Sequence, residues 1–274
     1  MTAEISSEDI VIAERAGPLV SVVMPSYNHA PYIARAIESV RAQTYDQVEL
    51  IVVDDGSSDQ SVELLRDLQA EHGFTLICQE NVGVCRTLNR GVREAATGEY
   101  IALLASDDLW APDKLERQLT ALKADPAAEF CFSQAVEFSD DASPTAGRVF
   151  PARCLRGSVV NKVFLRQHVP AGTMLFSRRL YDELGGFDET LREEDWDFVI
   201  RSAAATRFAA VDAPLLHYRA HPANTMRTRG GRAIFHQKAK ILAKNFMLVG
   251  PWTWLAAIAL HFTHDIVLGR IARR

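Results

Sequence analysis

The chain has 274 residues, of which 48% are hydrophobic and 24% charged, and its formal net charge is −5. This length can bury a full α/β core and leaves room for an appendage. The four cysteines show neither a CxxC pair nor metal-type spacing, which argues against a disulfide framework and predicts reduced core thiols in a cytoplasmic protein.

The two ends of the chain differ in charge. Residues 1–18 contain four acids and no long apolar run, which argues against a signal peptide and predicts a loose leader. Residues 226–274 hold nine Lys or Arg against one acid, so this tail carries +8 and the remainder −13. A basic tail on an acidic body predicts a polyanionic surface as partner, here an anionic membrane and not a nucleic acid.

The tail is also unusually apolar between residues 245 and 264, which contain no Asp, Glu, Lys or Arg. Gly250 and Pro251 interrupt this run, which favours an interfacial or buried helix over a spanning one. Its large apolar side chains are expected either to lie on an anionic membrane or to bury against the main domain or a second subunit. They are Phe246, Met247, Leu248, Trp252, Trp254, Leu255 and Phe262.

The first half of the chain alternates apolar strand runs with segments of helical periodicity. The predicted strands lie at 19–24, 49–53, 74–78 and 100–104, and the predicted helices at 31–43, 61–72, 84–96 and from 112 onward. This alternation predicts a parallel sheet covered on both faces.

The last of these strands stops at two adjacent carboxylates, Asp107 and Asp108. The carboxyl end of a buried strand is where open α/β sheets bind ligands, and paired acids need a compensating cation such as Mg²⁺ or Mn²⁺. The alternative is a helix cap, with one of these acids accepting free amides before the helix that Pro112 opens.

The second half of the chain shows weaker periodicity, and it is predicted to contain the contacts that are specific to the protein's partner. A strand at 130–138 precedes a polar loop, and later elements are a helix at 159–167, a strand at 172–176, a helix from 193 to about 204, and strands at 208–211 and 215–218. The basic C-terminal segment is predicted to be helical.

Five segments in this order resemble family 2 glycosyltransferases of the GT-A fold. They are SVVMPSYNHAPYI at 21–33, ELIVVDDGSSD at 49–59, NVGVCRTLNRGV at 81–92, ALLASDDLW at 102–110 and GGFDETLREEDWDFVIR at 185–201. The resemblance implies an α/β, Rossmann-like domain with a mostly parallel sheet at 19–225, divided into a nucleotide-sugar half (19–128) and an acceptor half (129–225), with a helical extension at 226–274. It also implies inverting, metal-dependent transfer from a nucleotide diphosphate sugar, expected to be a UDP-sugar.

The resemblance assigns donor contacts to the loops of the first half. The loop after the first strand is expected to hold the nucleotide, and Asp55 is expected to pair with the base, whereas Asp54 is interpreted as structural. Arg86, at a helix entry, is expected either to face the diphosphate or to be an exposed helix arginine. The loop residues are Pro25, Ser26, Tyr27 and Asn28.

Asp107 and Asp108 match the end of the family's DxD-type motif, whose first acid is replaced here by Ala105. Metal binding therefore depends on fewer carboxylates, and the predicted ligands of Mn²⁺ or Mg²⁺ are Asp107, Asp108 and His221, with Asp107 also contacting the donor. Arg219 is a candidate for steadying phosphate.

The segment Glu194-Asp195-Trp196 matches the family's base motif. Asp195 is predicted to be the catalytic base, because direct displacement needs one carboxylate that takes the acceptor's proton. Glu194 and Trp196 are predicted to line the acceptor site.

The leading hypothesis is a glycosyltransferase acting on a surface glycan or lipid-linked acceptor, in the cytoplasm or at the inner face of the cell membrane. One alternative is a sugar nucleotidyltransferase, although the first loop lacks the expected glycine-rich, basic sequence. Another is a catalytically silent module that binds nucleotide sugar or membrane. A homodimer is a further expectation.

Overall fold

The structure, a computed structural model, describes residues 17–139, 147–191, 194–221 and 231–268. These residues form one nine-stranded sheet flanked by helices. The strands are β1 (Val20–Ser26), β2 (Val48–Asp55), β3 (Thr75–Gln79), β4 (Tyr100–Leu103), β5 (Leu109–Trp110), β6 (Ala128–Phe138), β7 (Val149–Phe150), β8 (Leu175–Ser177) and β9 (Arg207–Arg219). The helices are α1 (Ile33–Arg41), α2 (Ser61–His72), α3 (Val84–Glu94), α4 (Lys114–Ala124), α5 (Val160–Leu165), α6 (Arg178–Leu184), α7 (Glu194–Ala205), α8 (Gly231–Lys244) and α9 (Pro251–Phe262).

The sheet has the strand order β3-β2-β1-β4-β8-β6-β9-β5, and β7 pairs with β6. Strand β1 is parallel to β2 and β4, β2 to β3, and β6 to β9. Each of these ladders pairs more residues than any antiparallel ladder in the described part of the chain, which confirms the prediction of a mostly parallel sheet. The carboxyl ends of β1, β2 and β4 therefore share one edge, where open α/β sheets bind ligands.

The apolar sequence of β1 reflects burial on both faces of the sheet. Val22 and Met24 belong to the core cluster that contains residues of α1, α2 and α4, whereas Val23 belongs to the cluster that contains residues of α3. Successive strand residues point to opposite faces, so a strand covered on both sides reads as a continuous apolar run.

Helix α3 lies close against the sheet because Gly91 faces β1 and β2. A Cβ at this position would come within 2.7 Å of Val23 Cγ1 and 3.1 Å of Val53 Cγ2. The residue before the helix is Gly83, with φ +91°. This packing holds the first turn of α3 at the ligand edge.

The structure corrects the predictions for the final strands. The two strands expected at 208–211 and 215–218 are one strand, β9, whose register against β6 shifts near Gln134 and Pro214. Proline cannot donate to a ladder and is tolerated where pairing is irregular, so the proline marks an irregularity here and not a strand end.

Other boundaries differ because the elements are short. The strand expected at 172–176 begins as a 3-10 turn, Ala171–Thr173, before β8. Strand β5 and helix α6 were not predicted, since two and seven residues are too few to show a period. Cys78 is exposed, unlike the other three cysteines, so it is not a core thiol.

Helices α8 and α9 pack on the body of the protein through one face. Ile241, Leu242 and Ala257 are fully buried in a cluster shared with α5 and α7, and Trp254 Nε1 donates to the Leu242 carbonyl at 3.2 Å. The exposed face is formed by α9 and by the 3-10 turn before it, Phe246–Leu248; its large apolar side chains are Phe246, Met247, Leu248, Trp252, Leu255, Leu260 and Phe262. The segment thus combines a buried face with an apolar exposed face.

None of the helices that the structure describes has both the length and the hydropathy needed to cross a membrane.

Candidate functional site

Three side chains from separate elements converge beyond the carboxyl end of β4. His29 follows β1, Asp107 follows β4 and His221 follows β9. The His221 Nε2 atom lies 2.9 Å from Asp107 Oδ2, and His29 Nε2 lies 3.9 Å from the same oxygen. One potential ligand atom from each residue lies within 4.8 Å of the others, so nitrogen and carboxylate donors of this cluster fit a divalent cation.

His29 and Asp108 have environments that affect their ionisation. Burial lowers the pKa of His29, although the Asp107 carboxylate partly offsets the effect. Burial, reinforced by the neighbouring Asp107 carboxylate, raises the pKa of Asp108 well above its usual range. The neutral form of an imidazole is the form that binds a metal.

The predicted metal ligands are only partly brought together. Asp107 and His221 are in contact, but Asp108 lies outside the cluster of three, which contains His29 instead. Asp108 Oδ1 accepts the backbone N–H of Arg219 at 2.8 Å. In this conformation Asp108 anchors the end of β9.

Arg219 lies beneath the two acids and not at the surface. It is 1% exposed, its Nε donates to the Asp107 carbonyl at 2.7 Å, and its guanidinium lies 4.8 Å from the Tyr32 ring centre and 4.7 Å from that of Phe138. Its charge offsets the paired carboxylates. The expectation that Arg219 steadies phosphate is therefore corrected, because the side chain is buried.

The helix-cap alternative for Asp107 and Asp108 is wrong. Helix α4 begins at Lys114, whose N–H donates to the Ala111 carbonyl, and the N–H of Leu115 donates to Gln43 Oε1 at 3.1 Å. These first-turn donors do not bond to either acid.

The loop after β1 is held by the loop after β2. Asn28 has φ +54°, and its Oδ1 accepts the N–H groups of Ser58 at 2.7 Å and Asp59 at 3.3 Å. Pro25 and the buried Ser26 lie within β1, whereas Tyr27 is 47% exposed. Among these predicted nucleotide contacts, Tyr27 is the residue with an exposed side chain, and Asn28 shapes the loop.

Asp55 and Arg86 flank the amino end of α3. Asp55 accepts the side-chain amide of Gln79 at 2.8 Å and the backbone N–H groups of Val82 and Gly83, each at 2.9 Å. Arg86 is more than half exposed, and its Nε lies 3.5 Å from Glu189 Oε2. Asp54 accepts two bonds from Ser57, consistent with the structural role expected for it.

Asp195 lies in the first turn of α7 and is not one of the three residues of the cluster His29, Asp107 and His221. Its Oδ2 accepts Gln167 Nε2 at 2.9 Å, and its Oδ1 accepts the N–H of Trp196. Burial raises the pKa of Asp195, and these two hydrogen bonds only partly offset it. A carboxylate with a raised pKa is a stronger proton acceptor.

The predicted acceptor contacts on either side of Asp195 need correction in one case. Trp196 is 2% exposed, its Nε1 donates to the Val163 carbonyl at 2.7 Å, and its ring lies 5.0 Å from that of His261 on α9. The indole is a core side chain and does not wall an open acceptor site. Glu194 begins α7, and its side chain lies outside the described residues.

Two residues of the site were missed in the sequence. His29 lies in SYNHAPYI, which was interpreted as a nucleotide loop only, although a histidine so close to a strand end is a metal-ligand signal. Gln167 carried no signal, because its contact with Asp195 joins residues 28 positions apart.

Comparisons with known proteins agree with this architecture. Residues 21–185 match the model of the family described as Glycosyl transferase family 2. EpsH of Bacillus subtilis, named as a glycosyltransferase, is 30% identical over 252 residues, which cover 83% of this chain and 70% of EpsH. TuaG of the same organism, named as a glycosyltransferase of teichuronic acid biosynthesis, is 37% identical over 129 residues, which cover 46% of this chain and 50% of TuaG.

Solved structures of low sequence identity share the fold. S. aureus TarS 1-349 in complex with UDP-GlcNAc aligns with a TM-score of 0.70 at 17% identity, over 89% of this chain and 73% of the TarS 1-349 chain. The mannosyltransferase PcManGT from Pyrobaculum calidifontis, in complex with GDP-Man and Mn2+, aligns with a TM-score of 0.68 at 23% identity, over 93% and 74% of the two chains.

The fold is therefore GT-A, and the family supports a transferase over a sugar nucleotidyltransferase. The chain belongs to glycosyltransferase family 2.

Proposed function

We propose that this protein is an inverting glycosyltransferase that moves a sugar from a nucleotide diphosphate donor to an acceptor hydroxyl. The observation that carries the proposal is that one GT-A scaffold holds both a cluster of side chains that fits a divalent cation and a buried carboxylate whose pKa is raised. A cluster of His29, Asp107 and His221 lies beyond β4, while the buried Asp195 carboxylate is held by Gln167 in another element.

In the proposed reaction the acceptor oxygen bonds to the anomeric carbon as the bond from that carbon to the diphosphate oxygen breaks. Asp195 takes the acceptor's proton, and the nucleoside diphosphate leaves with the electron pair. Attack opposite the leaving group inverts the anomeric configuration. A Mn²⁺ or Mg²⁺ ion held by the histidine and aspartate cluster would neutralise charge on the departing diphosphate.

The donor is proposed to be a UDP-sugar, held by the loops after β1 and β2. The exposed Tyr27 ring offers a stacking surface for the base, and Asp55 lies beneath the amino end of α3, with oxygens that also suit a base N–H. Arg86 on the exposed first turn of α3 offers a cation to the diphosphate. TarS 1-349 binds UDP-GlcNAc and PcManGT binds GDP-Man, so the experiment must separate these two nucleotides.

The experiment is a screen of UDP-, GDP-, CDP- and dTDP-sugars, with and without Mn²⁺, by thermal shift and by release of nucleoside diphosphate. A donor at about 100 times its dissociation constant adds roughly 2.7 kcal/mol to the free energy of unfolding. We expect one nucleotide class to give a metal-dependent shift. The anomeric configuration of the product, read by NMR, decides the stereochemistry, and a retained configuration would contradict the inverting mechanism.

We also propose that the acceptor is a lipid-linked or surface glycan met at the inner face of the cell membrane. The exposed face of residues 246–262 supports this, because Trp252 is 82% exposed and Met247 is 78% exposed within a segment of charge +8. Interfacial aromatic residues with basic neighbours bind anionic membranes.

Flotation with anionic and neutral vesicles tests this contact. Met247→Ser combined with Trp252→Ser should abolish flotation with anionic vesicles, whereas Val149→Ser, which changes a 42% exposed side chain on β7, should leave it unchanged. Equal flotation of all proteins would refute the membrane contact. If the double variant floats like the wild type but has the mass of a monomer where the wild type has that of a dimer, the exposed face would be assigned to a homodimer.

A further inference from the structure

His29, one of the three residues of the histidine and aspartate cluster, lies close to the position at which this chain departs from the family motif. In this chain Ala105 occupies the position of the motif's first acid, so the loop after β4 cannot supply a carboxylate from this position. His29 approaches the same loop from β1, with its Nδ1 2.8 Å from Ser106 Oγ. An imidazole therefore lies beside the residue that follows Ala105.

The orientation of His29 is fixed before any ion binds. Its backbone N–H donates to Ser61 Oγ at 3.1 Å, and its carbonyl accepts the N–H of Ile33 at 3.0 Å in the first turn of α1. The fully buried Ser106 holds Nδ1, which leaves Nε2 facing Asp107. Metal-binding histidines are oriented in this way by a hydrogen bond to the second ring nitrogen.

The spacing of the three donors suits one small cation. Two ligands that lie about 2.1 Å from an ion at right angles to each other are roughly 3.0 Å apart. The distance from His221 Nε2 to Asp107 Oδ2 is 2.9 Å, and the distance from His29 Nε2 to that oxygen is 3.9 Å. Two ligands on opposite sides of such an ion would be roughly 4.2 Å apart, so the third donor lies within the range that a shared ion allows.

We propose that His29 is the third protein ligand of the metal site, in place of the missing acid at position 105, and that this ligand set selects Mn²⁺ over Mg²⁺. Imidazole is a poor ligand for Mg²⁺, which prefers carboxylates and water, and a better one for transition metals. Two histidines and one aspartate therefore disfavour Mg²⁺ relative to a set built from carboxylates. The proposal concerns the metal of the proposed glycosyltransferase reaction, but metal binding alone tests it.

The experiment uses the full chain, stripped of metal and titrated with Mn²⁺ alone and then with Mn²⁺ and UDP. Electron paramagnetic resonance measures free Mn²⁺, and electron spin echo modulation detects nitrogen bound to the ion. The wild type should show coupling to two histidine nitrogens, and Mg²⁺ should compete poorly. His29→Ala should reduce the nitrogen modulation and weaken Mn²⁺ binding at least about tenfold.

Two further variants make the test specific. His29→Asp should retain Mn²⁺ binding while Mg²⁺ competes about tenfold better, because a carboxylate replaces an imidazole. Ser106→Ala should weaken Mn²⁺ binding through loss of orientation, which guards against a His29→Ala protein that does not fold. His236→Ala, at an exposed position of α8, should behave like the wild type.

Unchanged affinity and nitrogen modulation in His29→Ala would overturn the proposal, as would a wild type that binds no Mn²⁺ in either titration. These results are distinguishable from failure of the proposed function. A protein with the two-nitrogen signature that transfers no sugar keeps the ligand assignment and refutes the reaction. If Mn²⁺ supports transfer and His29→Ala has no effect on metal binding, the reaction is kept and the ligand assignment is refuted.

Discussion

At the scale of the residue, Asp195 has an environment that suits a proton acceptor, because burial raises its pKa and Gln167 holds its carboxylate. Asp195→Asn keeps the size of the side chain and can still accept a bond from Gln167, so donor binding should change little while kcat falls about 10²- to 10⁴-fold. Steady-state kinetics with the donor found in the screen would measure this. Asp182→Asn, which changes an exposed carboxylate on α6, is the control. A large rise in donor KM with unchanged kcat would contradict the role of base.

The ionisation of Asp195 gives a second prediction. Burial raises the pKa of Asp195, and the hydrogen bond from Gln167 opposes this increase. Because the base must be deprotonated to act, activity should fall at a pH above the usual aspartate pKa near 4. Gln167→Leu removes the opposing bond and should shift the acid limb of the kcat/KM profile to higher pH. A limb that stays in place would show that Gln167 does not tune the base.

At the same scale, the sequence could predict residues that lie in contiguous motifs. Asp55 and Asp107 each follow a predicted strand, and Asp195 lies in the first turn of a predicted helix, so the element that carries each of them was accessible from the sequence. The partners His29 and Gln167 were not, because their contacts join distant parts of the chain. Trp196 was placed incorrectly, since a motif shows the residue type but not the burial of its ring.

At the scale of elements, Lys244 joins α8 to α7 and to the loop before it. Its Nζ lies 2.6 Å from Asp188 Oδ2 and 2.9 Å from the buried Asp197 Oδ2. Lys244→Met keeps the apolar stem, so urea unfolding at pH 7 should show a loss of about 1–2 kcal/mol, a small value because the ammonium is partly exposed. Lys240→Met, on the exposed side of α8, should cost less than about 0.5 kcal/mol.

The same contact predicts how that loss depends on pH. Burial alone would raise the pKa of Asp188, but the bonds from Lys244 and Thr190 lower it to about 2. In the unfolded chain this pKa is about 4. The folded state therefore holds fewer protons between these values, so the stabilisation is complete above about pH 4 and is lost as the pH falls toward 2. Unfolding curves over this range should show the difference between wild type and Lys244→Met narrowing. A constant difference would refute the link.

Element prediction from the sequence succeeded where periodicity was long enough. The helix at Ser61–His72 was predicted with its end at Gly73, which takes a left-handed conformation with φ +72°. Short or irregular elements were missed, since β5 has two residues and β9 contains Pro214. Tertiary pairing and not local sequence defines such strands.

At the scale of the whole molecule, charge and apolar surface are concentrated in the same part of the chain. Residues 226–274 carry +8 on a body of −13, and the exposed apolar face lies within this segment. On an anionic vesicle the tail is attracted while the body is repelled. The proposed membrane contact therefore predicts an orientation in which α9 contacts the lipid and the acidic body faces away from it.

This orientation makes binding sensitive to salt and to the position of each charge. Flotation with anionic vesicles should decrease as the ionic strength rises from about 0.01 M to 1 M, because the screening length falls from about 30 Å to 3 Å. Lys240→Glu on α8 should reduce flotation, since each basic residue near the surface contributes about 1 kcal/mol. Lys123→Glu makes the same charge change at an exposed position of α4, in the body of the protein, and should have a much smaller effect on flotation. Equal losses for the two variants would indicate a response to net charge alone and would contradict the proposed orientation.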